Sequence, residues 1–413
     1  MSIRLGPTAA TDRVVQLDVL RGLAILGILM VNAPSFAMPF PVISVPDTSP
    51  LPFEPADFGV WWTMRTFFEQ KFVTLFSLLF GVSIYLVGGQ WGDERRAGVL
   101  RRRLFWLAVI GLIHGAVIWF GDILLHYAIV GALMSQFRSW GARRLITVGL
   151  ILFAVSALLT VGGGFAITAL PAEAQAQALQ PYSAESVRSL AAGFGASDLS
   201  AVQGANLSAW AMLQGGSIIA WGPRTLGVMM IGLALYKTGV LQGRGSTRLY
   251  LVLIAAGATS LALIGWSAME EYRAGFPLER SQGPAVAANT LLSPVVTLGY
   301  VGLISLLLKS GAGRAVTGLL APAGRMAFTN YLTQSLIMTA IFYGGGRGLG
   351  FYGELDWAQW ALIVVAVWVV QLLWSPLWLS RFSMGPLEWV WRKLSYGGNV
   401  PLRRQSAVAV ATS

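Results

Sequence analysis

Long, continuously apolar stretches dominate the chain and are separated by shorter polar segments. About ten of them are long enough to form membrane-spanning helices, since crossing a hydrocarbon core of roughly 30 Å takes about 20 apolar residues. They lack the alternation of apolar and polar residues that is typical of transmembrane barrel strands. The pattern therefore predicts an all-α, polytopic membrane helix bundle. The predicted spans are 17–37, 72–88, 104–120, 122–137, 145–170, 218–236, 249–268, 286–308, 326–343 and 357–379.

The segments around the spans predict three parts: a short N-terminal segment at 1–16, a helical domain at 17–380 and a C-terminal segment at 381–413. Residues 58–71 are expected to form a lateral or kinked segment, because 58–90 is too long for one crossing. Ser183, followed by Glu185, predicts a helix start. An interfacial helix is predicted at 385–396 and a disordered tail from Arg403 onward. The predicted outer loops are about 38–57, 171–213, 269–285 and 344–356.

Composition and charge agree with a membrane location. The chain has 55% hydrophobic and 11% charged residues and a formal net charge of +11, whereas soluble domains carry roughly 25% charged residues. Lys and Arg concentrate in alternate loops, and the outer loops hold only Arg188, Arg273, Arg280 and Arg347. The positive-inside rule therefore predicts that both termini are cytoplasmic. A net positive charge can indicate nucleic-acid binding, but the placement of Lys and Arg in alternate loops already accounts for it. Nucleic acid is therefore not an expected partner.

The chain has no cysteine, which excludes disulfides, thiol catalysis and cysteine-ligated metal centres. Its two histidines, His114 and His126, lie in two predicted spans that flank a turn at Gly121. An antiparallel hairpin brings both imidazoles to similar depth, with Asp122 one helical turn from His126. Ionisable groups within a membrane indicate function by default. Structural interpretations stay open, since Asp122 can cap a helix and each histidine can form an interhelical hydrogen bond.

The same three side chains do not lead us to predict a metal or haem site. Two histidines and a carboxylate can bind zinc, but this ligand count alone is weak support. Adjacent antiparallel helices pack 8 to 10 Å apart, which leaves too little room for a haem between two histidines. We therefore predict no metal and no bound cofactor.

Two further groups of polar residues lie within or beside spans. Asp18 and Arg21 are three residues apart at the start of the first span, and Asn32 follows in its outer half. Arg21 is placed to bind phosphate, although a capping Asp and a snorkelling Arg are equally consistent with the pattern. Asn330 and Gln334 follow Arg325 and share one face of the ninth span. Such amides either join helices or contribute to a ligand path.

Six blocks of sequence together resemble the YeiB-type bacterial membrane family, known as domain of unknown function 418. The resemblance covers nearly the whole chain and depends on the order and spacing of the blocks. They are LDVLRG at 17–22 running to Asn32, KFVTLFSLLFG at 71–81, GLIHG at 111–115, GDIL at 121–124 with Tyr127, GRMAFTNYLTQS at 324–335 and GPLEW at 385–389.

This family is similar to the transmembrane acyltransferases, which include type 3 acyltransferases and heparan-alpha-glucosaminide N-acetyltransferase. The resemblance implies a cytoplasmic acyl-CoA donor, such as acetyl-CoA, and an acceptor on the outer face, often a sugar. It also implies the bacterial inner membrane. Type 3 members typically carry histidine where this chain has Asn32, whereas asparagine there is more like the heparan branch.

On this interpretation His114 is the general base or acyl carrier, Asp122 its orienting partner, and Asn32 a group that steadies the oxyanion or the thioester. Arg21, Arg325 and Arg392 are expected to hold the CoA phosphates. The substrate-binding residues are predicted to be Arg21, Asp18, Glu69, Lys71, His126, Tyr127, Arg325, Asn330 and Gln334. Two other functions stay open: a transporter or channel for a small solute or lipid, and a non-catalytic membrane binding protein. The sequence also leaves a homodimer open.

Overall fold

The computed structural model describes residues 14–49, 51–310, 313–398 and 400–404. In this part of the chain sixteen α-helices occur and no strand is present. The helices are α1 Val15–Ala37, α2 Pro55–Thr63, α3 Lys71–Gly88, α4 Glu94–Ile113, α5 Leu124–Met134, α6 Ala142–Thr168, α7 Ala172–Leu179, α8 Ala184–Phe194, α9 Leu199–Lys237, α10 Thr247–Arg273, α11 Leu278–Arg280, α12 Val286–Lys309, α13 Arg314–Arg325, α14 Ala327–Phe342, α15 Trp357–Arg381 and α16 Pro386–Tyr396.

The predicted all-α membrane bundle is confirmed, and the protein is a multi-pass membrane protein. Among the described residues, seven helical segments are long and apolar enough to cross a membrane. The predicted spans at 104–120, 122–137 and 326–343 correspond to α4, α5 and α14, which are shorter or more charged than those seven. We call the end of the bundle that holds the starts of α1 and α4 together with α16 the basic end.

Helix α1 lies at the centre of the bundle and is largely buried. It packs against α13 so closely that a Cβ atom added to Gly22 would overlap the carbonyl of Leu320. A Cβ atom added to Gly324 would overlap the carbonyl of Asp18. Glycine at both positions therefore allows the backbones of two helices to touch, as small residues do in membrane bundles.

Helical irregularities occur in the predicted lateral segment and in the predicted span at 104–120. The lateral segment predicted at 58–71 is α2 followed by a π-helical turn at Met64–Phe68. Gln70 then adopts a left-handed conformation with φ of 61°, and α3 begins at Lys71. Helix α4 likewise ends in a π-helical turn at His114–Ile118. Such turns often occur at functional sites.

The segment 171–213, predicted to connect two spans and to contain a helix start at Ser183, is mostly helical. Helix α8 begins after Ser183, whose side chain accepts a hydrogen bond from the backbone N–H of Ser186. Helix α9 then begins at Leu199, nineteen residues before the predicted span at 218–236. The span prediction missed the first turns of α9 because they include polar residues. One of them, Asn206, is buried and donates a hydrogen bond to the carbonyl of Gly115.

At the C-terminus, the predicted interfacial helix is α16. The tail is ordered as far as Arg404, contrary to the disorder predicted from Arg403 onward. Arg403 pairs with Phe382, and the backbone N–H of Arg404 donates to Arg381 at 3.3 Å. The remainder of the predicted tail, at 405–413, lies outside the described residues, as do positions 1–13 of the N-terminal segment.

Candidate functional site

His114 and Asp122 form a hydrogen-bonded pair inside the bundle. Nδ1 of His114 lies 2.8 Å from Oδ1 of Asp122. The same carboxylate caps α5, because it accepts the backbone N–H groups of Leu124 at 3.1 Å and Leu125 at 2.9 Å. The cap and the histidine contact are therefore made together by one side chain. Because a carboxylate accepts hydrogen bonds, this contact favours a proton on Nδ1 of the imidazole.

The rest of the His114 side chain is enclosed by aromatic rings. The residue is 1% exposed, and its Nε2 atom has no hydrogen-bond partner among the described residues. Its ring centroid lies 5.3 Å from that of Tyr331 and 6.2 Å from that of Trp119. A buried polar atom without a partner is costly. Nε2 of His114 is therefore a buried polar atom whose hydrogen-bonding capacity is not satisfied by the described residues.

A cavity of about 650 Å³ extends from the basic end toward this pair. Its lining includes five arginines and two carboxylates, so the lining carries a surplus of positive charge. The charged residues are Arg21, Arg96, Arg103, Arg325, Arg392, Asp18 and Glu388. Arg21 binds Asp18 at 2.9 Å. The deeper wall is mostly apolar and includes Phe76, Leu107 and Leu124.

Helix α16 covers part of this cavity at the basic end. The Arg103 guanidinium lies 4.0 Å from the ring centroid of Trp391, and the Trp391 indole donates to the Arg103 carbonyl at 3.0 Å. Glu388 accepts the backbone N–H groups of Phe328 at 2.8 Å and Thr329 at 3.1 Å, which places its carboxylate at the start of α14. Burial raises the pKa of Glu388 above its ordinary value, although these hydrogen bonds oppose the shift.

Two tyrosines line the cavity on the side nearest the histidine. Tyr127 is hydrogen-bonded to Ser77 at 2.6 Å. Tyr331 lines the cavity and also contacts the His114 ring. The Tyr331 ring therefore connects the arginine-rich cavity with the His114–Asp122 pair.

The third predicted catalytic residue, Asn32, lies on α1 in the half of the bundle remote from the basic end. It is half-buried. Phe36, one turn further along α1, stacks on Trp119 with ring centroids 4.0 Å apart. Because Trp119 contacts His114, Asn32 belongs to the helix that packs beside the histidine.

The second histidine is not part of the His114–Asp122 pair. Its side chain is directed at α9, where Nε2 of His126 lies 3.0 Å from Oγ1 of Thr225. Of the two histidines, only His114 is hydrogen-bonded to the carboxylate of Asp122. The predicted substrate contact of His126 stays a prediction.

Glu69 and Lys71 lie in a separate buried network near the break before α3. Glu69 forms a two-oxygen contact with Arg65, which also binds Glu271 at 2.9 Å. Lys71 is completely buried and donates to Asn289 at 2.6 Å. None of these residues lines the large cavity. The structure therefore does not bring Glu69 and Lys71 together with Arg21 and His114.

The amides of α14 also make contacts within the bundle. Asn330 donates to the Ala323 carbonyl at 3.1 Å, and Gln334 donates to Gln371 at 2.8 Å. Gln371 in turn donates to the Asn330 carbonyl at 2.9 Å. These bonds join α14 to α13 and α15, which is the helix-joining role left open by the sequence.

Several residues at or near the site were not singled out from the sequence, among them Arg103, Tyr331 and Arg224. Arg224 lies within the predicted span 218–236, and its Nη2 atom is buried without a hydrogen-bond partner in the described part of the chain. Its guanidinium lies 5.9 Å from the ring centroid of Phe153. A charge inside an apolar stretch was the signal that could have identified it.

No cluster of three or more metal-ligating His, Asp or Glu side chains occurs in the part of the chain that the structure describes. The arrangement consists of a basic cavity and a histidine–carboxylate pair.

Comparison with known proteins identifies the family. Residues 235–398 match the family model described as a protein of unknown function, DUF418. The chain is 31% identical over 407 residues to the uncharacterized protein YeiB of Escherichia coli (strain K12), covering 93% of this chain and 96% of that protein. It is 28% identical over 423 residues to the uncharacterized protein YxaH of Bacillus subtilis (strain 168), covering 98% and 99%. No solved structure matches the chain. The chain therefore belongs to the DUF418 family of YeiB-like proteins.

Proposed function

We propose that the protein is an acyltransferase of the bacterial inner membrane that uses cytoplasmic acyl-CoA and a hydroxyl or amine acceptor on the outer side. The observation that carries the proposal is the continuity between the arginine-lined cavity and the Tyr331 ring packed against His114. Arginine suits phosphate groups because its planar guanidinium can donate two hydrogen bonds at once. The resemblance to transmembrane acyltransferases supports the same conclusion.

The surplus of positive charge in the cavity suits the phosphate groups of the proposed ligand, acyl-CoA. Arg21, Arg325 and Arg392 bind the phosphates of CoA, and Arg96 and Arg103 add to the positive potential. The acyl chain and pantetheine follow the apolar wall beyond them. Acyl-CoA is a co-substrate here, and acetyl-CoA is the simplest donor that fits this description.

His114 serves as the general base in this mechanism. Asp122 holds Nδ1–H, so Nε2 is free to accept the proton from the acceptor as its oxygen or nitrogen attacks the thioester carbonyl. The new ester or amide forms as the C–S bond breaks, and the CoA thiolate regains the proton from the imidazolium. Asn32 steadies the oxyanion from α1. Tyr331 must rotate for the thioester to reach Nε2.

The direct test is acyl transfer by the purified protein in liposomes. We expect free CoA to be released from acetyl-CoA when a panel of sugars, polyols and amines is supplied as acceptors, and a new acylated product to appear. His114→Ala should abolish both signals while keeping the wild-type melting profile. Absence of CoA release with every acyl-CoA and acceptor, or full activity of His114→Ala, would overturn the proposal.

A transporter for a small solute is a second candidate, favoured by the breaks at Met64–Phe68 and His114–Ile118. Interrupted helices often form the binding sites of transporters. This function predicts that a solute accumulates in liposomes without covalent change. Flux that continues in His114→Ala, together with no acyl transfer, would favour it over the enzyme.

A further inference from the structure

A second recess lies outside the bundle core, between α4 and α5. It has a volume of about 570 Å³ and shares no lining residue with the larger cavity. Its wall on α4 follows one helical face. The residues from α4 are Glu94, Ala97, Leu100, Arg101, Leu104, Phe105 and Ala108, and those from α5 and the turn after it are Ala128, Ile129, Ala132, Ser135, Gln136 and Arg138.

The two ends of this recess differ in chemistry. Its deeper part is apolar and includes Leu104, Ala108 and Ile129, whereas Arg101 and Arg138 lie at the basic end together with the carboxylate of Glu94. Phe105 is 60% exposed, so the deeper wall faces the surroundings of the bundle. In a membrane protein those surroundings are lipid chains.

The apolar part of the recess is long enough for part of one acyl chain. From Arg101 to Ala108, α4 rises about 10 Å, at 1.5 Å per residue. This is about two thirds of one leaflet, since a leaflet contributes half of a hydrocarbon core of roughly 30 Å. Alanines at positions 97, 108, 128 and 132 leave room between the helices for an acyl chain.

The charged residues at the basic end of the recess favour a lipid with an anionic headgroup. Arg101 is exposed and has no hydrogen bond or ion pair in the described part of the chain. Arg138 is 8% exposed and donates to the carbonyls of Gly89 at 3.2 Å and Ser135 at 2.6 Å, which fixes its position. Two guanidinium groups and one carboxylate leave a net positive charge, which complements a phosphodiester on a headgroup without a compensating amine.

We propose that this recess binds one anionic glycerophospholipid from the leaflet at the basic end. One acyl chain lies along α4 and α5 between Leu104 and Ile129, and the phosphate contacts Arg101 beside the fixed guanidinium of Arg138. The site is separate from the proposed catalytic cavity and does not depend on the acyltransferase proposal.

The experiment compares lipid adducts of the purified, delipidated protein by native mass spectrometry. Phosphatidylglycerol and phosphatidylcholine of identical chains are added in equal amounts. The wild type should retain phosphatidylglycerol preferentially, and Arg101→Gln should reduce that preference about fivefold, the effect of one arginine near an anionic headgroup. Ala132→Leu should reduce the retention of lipid, because the larger side chain fills the recess. Since Ala132 is exposed and outside the core, the variant should still fold.

Arg143→Gln is the matched control, since Arg143 is an exposed arginine near the start of α6 and does not line the recess. It should keep the wild-type preference. Unfolded variants are recognised by their melting profiles. Equal retention of the two lipids by the wild type, or an unchanged preference in Arg101→Gln together with unchanged retention in Ala132→Leu, would overturn the proposal.

Discussion

Nδ1 of His114 lies 2.8 Å from a carboxylate oxygen of Asp122 that also caps α5. One side chain thus fixes both the start of a helix and the orientation of the buried imidazole. Because Oδ1 of Asp122 serves both the cap of α5 and the hydrogen bond to His114, a substitution at Asp122 needs a control for the loss of the cap.

Asp122→Asn should reduce acyl transfer at least about 100-fold, the usual contribution of general base catalysis. The single amide oxygen can keep only part of the α5 cap, because Leu124 and Leu125 donate to different oxygens of Asp122. It also no longer holds Nδ1–H by a charged bond, so His114 is less firmly held in its reactive tautomer. Steady-state CoA release measures the effect. Asp93→Asn is the capping control, because Asp93 caps α4 by accepting the backbone N–H of Arg96 and lies outside the cavity. Equal activity of the two variants would contradict the role given to Asp122.

Arg21→Gln should raise KM for acyl-CoA about tenfold and change kcat much less, which is the effect of losing one hydrogen bond to a charged group. The substitution also leaves Asp18 without its ion-pair partner. The double variant Asp18→Asn/Arg21→Gln should therefore keep the raised KM while regaining thermal stability. Titration of CoA into the purified proteins gives an independent affinity. Arg143→Gln serves again as control, and a KM unchanged in Arg21→Gln argues against phosphate binding there.

The titration of Glu388 should make the stability of the wild type depend on pH. Burial raises its pKa above the ordinary value of 4.5, so the folded protein binds the proton more tightly than the unfolded chain does. The resulting stabilisation is complete below 4.5 and is lost as the pH rises through the higher, folded pKa. Melting temperatures in detergent measure it.

Glu388→Gln removes this dependence, so its melting temperature should rise relative to that of the wild type as the pH increases across that interval. Glu354→Gln replaces an exposed glutamate in an outer loop and should follow the wild type. Parallel curves for the wild type and Glu388→Gln would show that the carboxylate does not titrate in this way.

Gly324→Ala should destabilise the protein by about 1 to 3 kcal/mol, because the added methyl group overlaps the carbonyl of Asp18 and forces α1 and α13 apart. Gly318→Ala tests the same change on the same helix, where an added Cβ atom meets nothing within 4 Å. It should be neutral or stabilising, since alanine is the better helix former. Equal melting temperatures for the two variants would contradict the close contact.

The apolar pattern was sufficient to predict the bundle, because lipid requires every spanning segment to satisfy its own backbone. It failed at α9, whose first turns are polar. Val202 and Ala209 of these turns are buried in the core, but Asn206 between them is also buried, where it donates to the Gly115 carbonyl, so the run is not continuously apolar.

Only the contacts between residues that are close in sequence could be predicted for the site. His114 and Asp122 are eight residues apart across one turn, so their proximity could be expected from a hairpin. Tyr331 reaches the same histidine from a helix more than 200 residues away, and Arg103 meets Trp391 across the bundle. These contacts depend on how distant helices pack, which no local spacing encodes. The separation of Lys71 from the cavity follows from the same packing.

The first turn of α14 connects both ends of the proposed site. Its N–H groups at Phe328 and Thr329 are held by Glu388 of α16, and Tyr331 leaves the same turn toward His114. A rigid helical turn transmits displacement without needing a chain of intermediates. We therefore expect a ligand that displaces α16 at the basic end to displace Tyr331 as well, and so to couple filling of the cavity to exposure of His114.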